Sequence, residues 1–239
     1  MPGREIIIER PFMVRDNPQN FYPNLSFVAA QFELDDTEID LASTNIGNVA
    51  QSDWEKRTLL AAWLDRIDAE QHYDFVIFDC PPATKIVSQN ALACSDSYVI
   101  PVIPDELSSR GVTHFQALVS RKIDTHLEYL KETARIPEEH IPRNYVKGTK
   151  IAAIAPYLAK QSPGAASGFT NIHTERMAAL RKQFGDVIIK TVGKNYIGIP
   201  EAVNAGWPVW NYWGNNARPS VSAMMRKICV ELKERIEKS

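Results

Sequence analysis

The chain has 239 residues, with 27 Lys plus Arg against 29 Asp plus Glu and a formal net charge of −2. That balance gives no global pull toward nucleic acid or an anionic membrane, although it is compatible with a local basic patch. The composition is that of a soluble globular protein, no run of about 18 apolar residues marks a membrane span, and Met1 to Arg10 lacks the apolar core of a signal peptide.

Residues 1–24 are poorly patterned. Glu5 to Ile8 is open between a short strand and part of a helix, and Pro11, Pro18 and Pro23 interrupt any regular element after it. Leu25 to Ala30 reads as a strand. Asp35 and Asp36 open a helix running to Ala42, their charge well placed at its first turn. Asn45 to Ser52 is polar and loop-like. Glu55 to Glu70 reads as an amphipathic helix, because Leu59, Leu60, Trp63, Leu64 and Ile67 fall at helical spacing.

Next comes Tyr73-Asp74-Phe75-Val76-Ile77-Phe78-Asp79-Cys80-Pro81-Pro82. A short apolar run stopped by two prolines fits a strand buried on both faces. Asp79 then sits at its carboxyl end, where open α/β sheets place ligands. A carboxylate there is costly unless compensated. Two readings stay open: a ligand for Mg²⁺, or a cap on the following helix or turn.

Lys85 to Ala93 reads as a short helix. Ser97 to Ile103 is β-rich, with Pro101 weakening it as a regular central strand. Ser108 to Lys131 has helical spacing, Lys150 to Ala155 is a strand, and Ser162 to Gly168 is a flexible connection. Helix resumes over Asn171 to Phe184, Val187 to Thr191 is a strand, residues 193–216 are irregular, and Ser220 to Lys238 is an amphipathic helix. Alternating strands and helices predict an α/β fold, a mostly parallel sheet with helices on both faces. The reading is one domain over residues 25–239, preceded by the poorly patterned segment.

The order of these segments resembles the ParA/MinD group of deviant Walker ATPases, and ParA-type partition proteins most closely. The residues that carry it are YDFVIFDCPP followed by NALACSDSYVIPVIPDELSSRGV. LSFVAAQFELDDTEIDLA at Leu25 to Ala42 and KTVGKNYIGIPEAVNAGWPV at Lys190 to Val209 extend it, so that it covers about residues 25–235. The resemblance implies a P-loop NTPase-like fold that binds ATP with Mg²⁺. It makes Asp79 the Walker B aspartate, facing Mg²⁺ through water. It gives Pro81 and Pro82 the shaping of the strand exit. It places the loop with Asn195, Pro200 and Glu201 near the adenine. Here the family's Pro-Arg-Asn entry is Gly193-Lys194-Asn195, with one extra residue before Glu201, so the loop carries over as a whole rather than base contact by base contact.

One part of the pattern is not written in this sequence. A P-loop needs closely spaced glycines before Lys-Ser/Thr so that backbone N–H groups wrap the phosphates. The Gly193-Lys194 pair is followed by Asn195 and fails that test. In the family the P-loop strand comes before all that matches and lies beside the Asp79 strand. The expectation is therefore a ParA-like chain incomplete at its N-terminus, short by roughly 60 residues on the size of two βα units, through truncation or a mis-assigned start. Either the sheet closes over the gap or an apolar edge stays exposed.

The resemblance implies a cytoplasmic plasmid or chromosome partitioning protein that is a homodimer when complete. It would bind DNA nonspecifically and hydrolyse ATP when a ParB-type partner engages, with little ATPase activity in this chain alone. The alternative is a non-catalytic module that binds a full-length ParA or a ParB. A MinD-like membrane helix fits less well, because the last helix is charged on several faces. Its Arg226, Lys227, Lys233, Arg235 and Lys238 read as a solvated face before they read as phosphate contacts. Trp207, Trp210, Tyr212 and Trp213 read as a satellite core under the late loop before a stacking surface, and Arg110 reads as structural. Cys80, Cys94 and Cys229 read as buried thiols of a reducing compartment, and the five histidines show no zinc spacing.

Overall fold

The structure is a computed structural model that describes residues 7–9, 13–14, 17–20, 24–29, 34–81, 85–162, 164–211 and 219–239. By contacts the chain divides into two compact units, where the sequence reads as one α/β domain from residue 25. Residues 1–95 and 123–147 form the first unit, and residues 96–122 and 148–239 the second.

The first unit opens with two short antiparallel pairs. β1 (Ile8–Glu9) pairs with β4 (Ser26–Phe27), and β2 (Met13–Val14) with β3 (Asn17–Asn20). Then come α1 (Leu34–Ser43), α2 (Val49–Arg57), α3 (Leu59–Arg66), α4 (Ala69–His72) and α5 (Ile86–Ala93). α2 starts earlier than periodicity indicates, because Asn48 caps it: its Oδ1 accepts from Ala50 N–H at 2.9 Å and Gln51 N–H at 3.3 Å. The helix expected over Glu55 to Glu70 is broken at Thr58. There φ is −115°, and the Thr58 hydroxyl donates back to the Trp54 carbonyl at 3.0 Å. Trp54, which the helical spacing does not single out, is buried and meets Tyr145 edge-on, ring centroids 4.8 Å apart.

The expected central strand is not formed. Residues 75–80 carry no strand, and Phe75, Val76 and Ile77 are 47, 44 and 87% exposed. Tyr73 and Phe78 at its ends pack against Leu64, Ile67 and Ala69. A strand needs a neighbouring ladder and a covered face, and among the described residues no ladder includes residues 76–80.

The second unit holds the parallel sheet. β5 (Ser97–Val102) runs parallel to β6 (Lys150–Pro156), and Ile188 adds a parallel bridge to Ile154. The strand expected over Val187 to Thr191 is reduced to that bridge. Pro101 sits inside β5 and is exposed. A missing N–H is tolerated on a strand with no neighbour on its other side among the described residues. Side chains alternate across the sheet. Val102, Ile154 and Ile188 pack with Val112 of α6 (Glu106–Leu118) and with Met177 and Leu180 of α8 (Asn171–Phe184). On the other face Val99, Ala153, Ala155 and Ile189 meet Ile228 and Leu232 of α10 (Pro219–Ile236). The fold is α/β with a parallel sheet and helices on both of its faces, as the sequence predicts.

α6 runs on through a π-helical turn at Val119–Asp124 into α7 (Thr125–Ala134), which belongs to the first unit. α9 (Gly198–Asn204) lies where the sequence reads as irregular. Pro200 falls in its first turn, where no intrahelical N–H is required. The loop at Ser162 to Gly168, expected to be flexible, is closed by hydrogen bonds: Ser162 N–H to Gly168 O at 3.2 Å, Gly168 N–H to Ala165 O at 2.9 Å, and a Gln161–Phe169 bridge.

Candidate functional site

Asp79 lies in the first unit, exposed, one residue past the Phe78 anchor and before the exposed Pro81. Pro82 lies outside the described residues. The capping reading for Asp79 has a competitor in α1. Val87 N–H, in the first turn of α5, donates to Glu38 Oε1 at 3.0 Å, and Lys85 pairs with Glu38 Oε2 at 3.4 Å. The buried Glu38 thus meets the positive end of α5. Cys80 follows Asp79 and is exposed rather than buried, as is Cys229, while Cys94 is half-buried. The Cys80 thiol is pushed up, first by partial burial of its surroundings and then by the Asp79 carboxylate. That leaves it a thiol and not a nucleophilic thiolate.

Asn90, the asparagine of the Asn-Ala-Leu stretch, has a structural task. Its Nδ2 donates to Lys56 O at 2.8 Å and Ile86 O at 3.0 Å, and its Oδ1 accepts from Leu60 N–H at 3.2 Å. It satisfies backbone groups freed where α2 breaks from α3, and it is buried while doing so.

Asn195, Pro200 and Glu201 lie in the second unit. Asn195 and Pro200 are exposed and Glu201 is half-buried. The loop that carries them is stitched to the end of β6. Gly193 N–H donates to Pro156 O at 2.8 Å, Ala159 N–H to Gly193 O at 3.0 Å, and Asn195 N–H to Ala159 O at 3.1 Å. Gly193 is closely approached: an added Cβ would sit 3.0 Å from Tyr157 Cβ and 3.1 Å from its Cα, so a larger residue would need the neighbouring backbone to give by a few tenths of an ångström. Lys194 stands over the Phe169 ring, 5.7 Å from its centroid. Trp207 N–H closes α9 on Ala202 O at 2.9 Å, with Gly206 at φ +72° in the turn. The turn at Val209–Asn211, which contains Trp210, packs on α9 and α10. Trp210 itself is exposed, which does not fit the satellite-core reading for that residue, while Tyr212 and Trp213 lie outside the described residues. Arg110 is paired with Glu106 at 2.6 Å, and Glu106 also takes Arg176 at 3.0 Å.

The expected site residues therefore fall into two sets, one on each unit. Magnesium takes hard oxygen ligands and keeps water and substrate phosphates among them. Among the described residues no group of three His, Cys, Asp or Glu could hold a metal ion. Asp79 offers one carboxylate, so the described residues do not complete a Mg²⁺ site by themselves. Sequence reasoning also missed Glu38 and Asn90. The first was visible only as helix-start acidity, and the second only inside a family motif.

A family model described as an AAA domain matches residues 7–131. The sporulation initiation inhibitor protein Soj of Bacillus subtilis is 26% identical over 190 residues, 79% of this chain and 60% of that protein. The chromosome partitioning protein ParA of Caulobacter vibrioides is 27% identical over 99 residues, 41% of this chain and 34% of that one. Among solved structures, an ATP complex of a variant of Cyanothece McdA superposes with a TM-score of 0.62 at 14% identity, over 98% of this chain and 72% of that one. The chain spans 60%, 47% and 47% of the lengths of the first three curated relatives it matches.

Proposed function

The chain belongs to the AAA domain family, in its ParA-type partition ATPase branch, and on that premise we propose that it serves the partitioning of plasmid or chromosome DNA. In this reading ATP and Mg²⁺ are the ligands of the whole protein. Asp79 is the magnesium-facing carboxylate, Pro81 and Pro82 turn the chain away from it, and the loop with Asn195, Pro200 and Glu201 borders the adenine. The observation that supports it best is the state of Asp79, which is exposed beside two prolines while Glu38 meets the start of the next helix. An exposed carboxylate suits an ion and its waters.

The phosphate-wrapping motif is not written in these 239 residues. We therefore assign little or no ATPase activity to the chain alone. In the complete assembly hydrolysis is in-line attack of water on the γ-phosphate, with positioning and charge stabilisation supplying the rate. A ParB-type protein would be the trigger, a homodimer the working unit, and nonspecific DNA the track. The exposed Arg226, Lys227 and Lys233 of α10 are the residues that would meet phosphates. Titration of the purified chain with a fluorescent ATP analogue tests this. Binding should be absent or millimolar, and micromolar, Mg²⁺-dependent binding would sink it.

One observation favours a second reading. Phe75, Val76 and Ile77 are apolar and exposed, as a module that docks on a full-length ParA or a ParB would need. A pull-down unaffected by ATP supports the module, and strict ATP dependence removes it. Membrane attachment is disfavoured, because Ile228 and Leu232 of α10 are used on the sheet. Liposome co-sedimentation of the chain would contradict that.

A further inference from the structure

The last helix does more than cover the sheet. Two of its inward side chains, seven residues apart, reach the loop that follows the Ile188 bridge. Glu231 accepts from Lys190 N–H at 2.5 Å and from Thr191 N–H at 3.1 Å, and the Thr191 hydroxyl donates to the same carboxylate. Met224 Sδ accepts from Lys194 N–H at 3.1 Å. Ile228, between them on the same face, packs on the sheet with Leu232. Arg226, Lys227, Val230 and Lys233 point outward. A carboxylate taking two backbone N–H groups and a hydroxyl is a strong, charge-assisted anchor. Burial alone would raise the Glu231 carboxyl, yet the bonds from Thr191 and Lys190 outweigh burial and hold it below the usual carboxylate range.

We propose that Glu231 and Met224 are positioning residues: α10 is a clip that sets the course of the loop at residues 190–195 and so the placement of Asn195, Pro200 and Glu201. The stitching of Gly193 and Asn195 to residues 156–159 fixes the far side of the loop. Without the clip its near side keeps the Ile189 N–H to Ile154 O bond, 3.0 Å, and the bond from Arg181 to Lys190 O, 3.2 Å, neither of which holds the Lys190 or Thr191 N–H. The consequence for nucleotide placement rests on the adenine assignment made above. The clip itself does not.

Amide hydrogen exchange and amide proton shifts of the full chain, read by NMR without nucleotide, test the clip. Glu231→Ala keeps a good helix former and should speed exchange of the Lys190 and Thr191 amides by roughly tenfold or more, the loss of a charge-assisted bond. The amides of Ala152 to Ala155 should keep their rates. Glu231→Gln, the safer variant for folding, should move the same two amide protons upfield, since a neutral acceptor polarises them less. Met224→Leu should speed Lys194 by a few-fold only. Unchanged rates at Lys190 and Thr191 in Glu231→Ala would overturn the proposal. So would an equal rise across Ala152 to Ala155, which would mean that Glu231 merely supports the helix packing. If nucleotide binding fails elsewhere, the clip stands. If exchange is unchanged, the clip falls and the adenine assignment is untouched.

Discussion

Residues 75–78 and residues 151–155 are both wholly apolar and opposite in surroundings. Phe-Val-Ile-Phe is the more β-prone of the two by side chain, yet Ile77 is 87% exposed and no strand forms. Ile-Ala-Ala-Ile-Ala contains three alanines, yet it forms β6, with Ile154 fully buried between β5 and the Ile188 bridge. A strand is made by what lies beside it. The second run has a parallel neighbour and helices on both faces. In the first, residues 76–78 join no ladder among the described residues, and Val76 and Ile77 stay exposed.

The sharpest way to break this contrast is to truncate one residue in each run. Ile154→Ala should cost about 3 kcal/mol, within the range of large-to-small core changes, seen as a lower denaturation midpoint. Ile77→Ala should stay within about 0.5 kcal/mol of the parent. Equal losses would mean that the first run is as buried as the second. Next in size is Asn90→Ala, which strands the Leu60 N–H and the Lys56 carbonyl and should cost about 2 kcal/mol, read as a drop in Tm. A change no larger than that of an exposed position would contradict the bridging role.

A smaller effect is tied to pH. Burial would raise the Glu128 carboxyl, but its bonds to Lys147, Lys131 and Tyr145 outweigh that and hold it below the usual range. Its folded pKa is thus below the unfolded value of about 4.3. The stabilisation is present above that value and is lost as pH falls through the folded pKa. Glu128→Gln should flatten the decline of Tm below about pH 5, and an unchanged acid limb would count against the network. The Tyr145 hydroxyl is pushed well up, by burial first and then by Glu128, so it stays a donor throughout. Smallest of all is Arg110→Ala, at an exposed pair where Glu106 keeps Arg176. It should shift stability by less than about 0.5 kcal/mol, and a larger loss would show that the pair is not a surface one.

The same contrast explains what the residues disclose without coordinates. Lys150 to Ala155, Asn171 to Phe184 and Ser220 to Lys238 are legible because each carries its own period and its neighbours are in the chain. Asp79 with its prolines, and the Asn-Ala-Leu stretch, are legible as a family pattern. The break at Thr58 is not, because it depends on one hydroxyl and on Asn90 from another helix. Glu231 reads as one charge of a solvated helix face and Glu38 only as part of an acidic helix start, and their tasks appear only when α5 and the loop at residues 190–191 are brought to them. The strand expected at Phe75 is right for its composition and wrong for its environment, since no residue within it encodes what lies beside it.

Amide exchange of the purified chain, compared between residues 76–79 and 152–155, tests that point most directly. The amides of the first run should exchange within about tenfold of an unfolded chain, and those of the second should be protected by on the order of a thousandfold or more. Comparable protection in both would show that residues 76–79 are held in a ladder, and that the exposed apolar run on which the docking reading depends does not exist in solution.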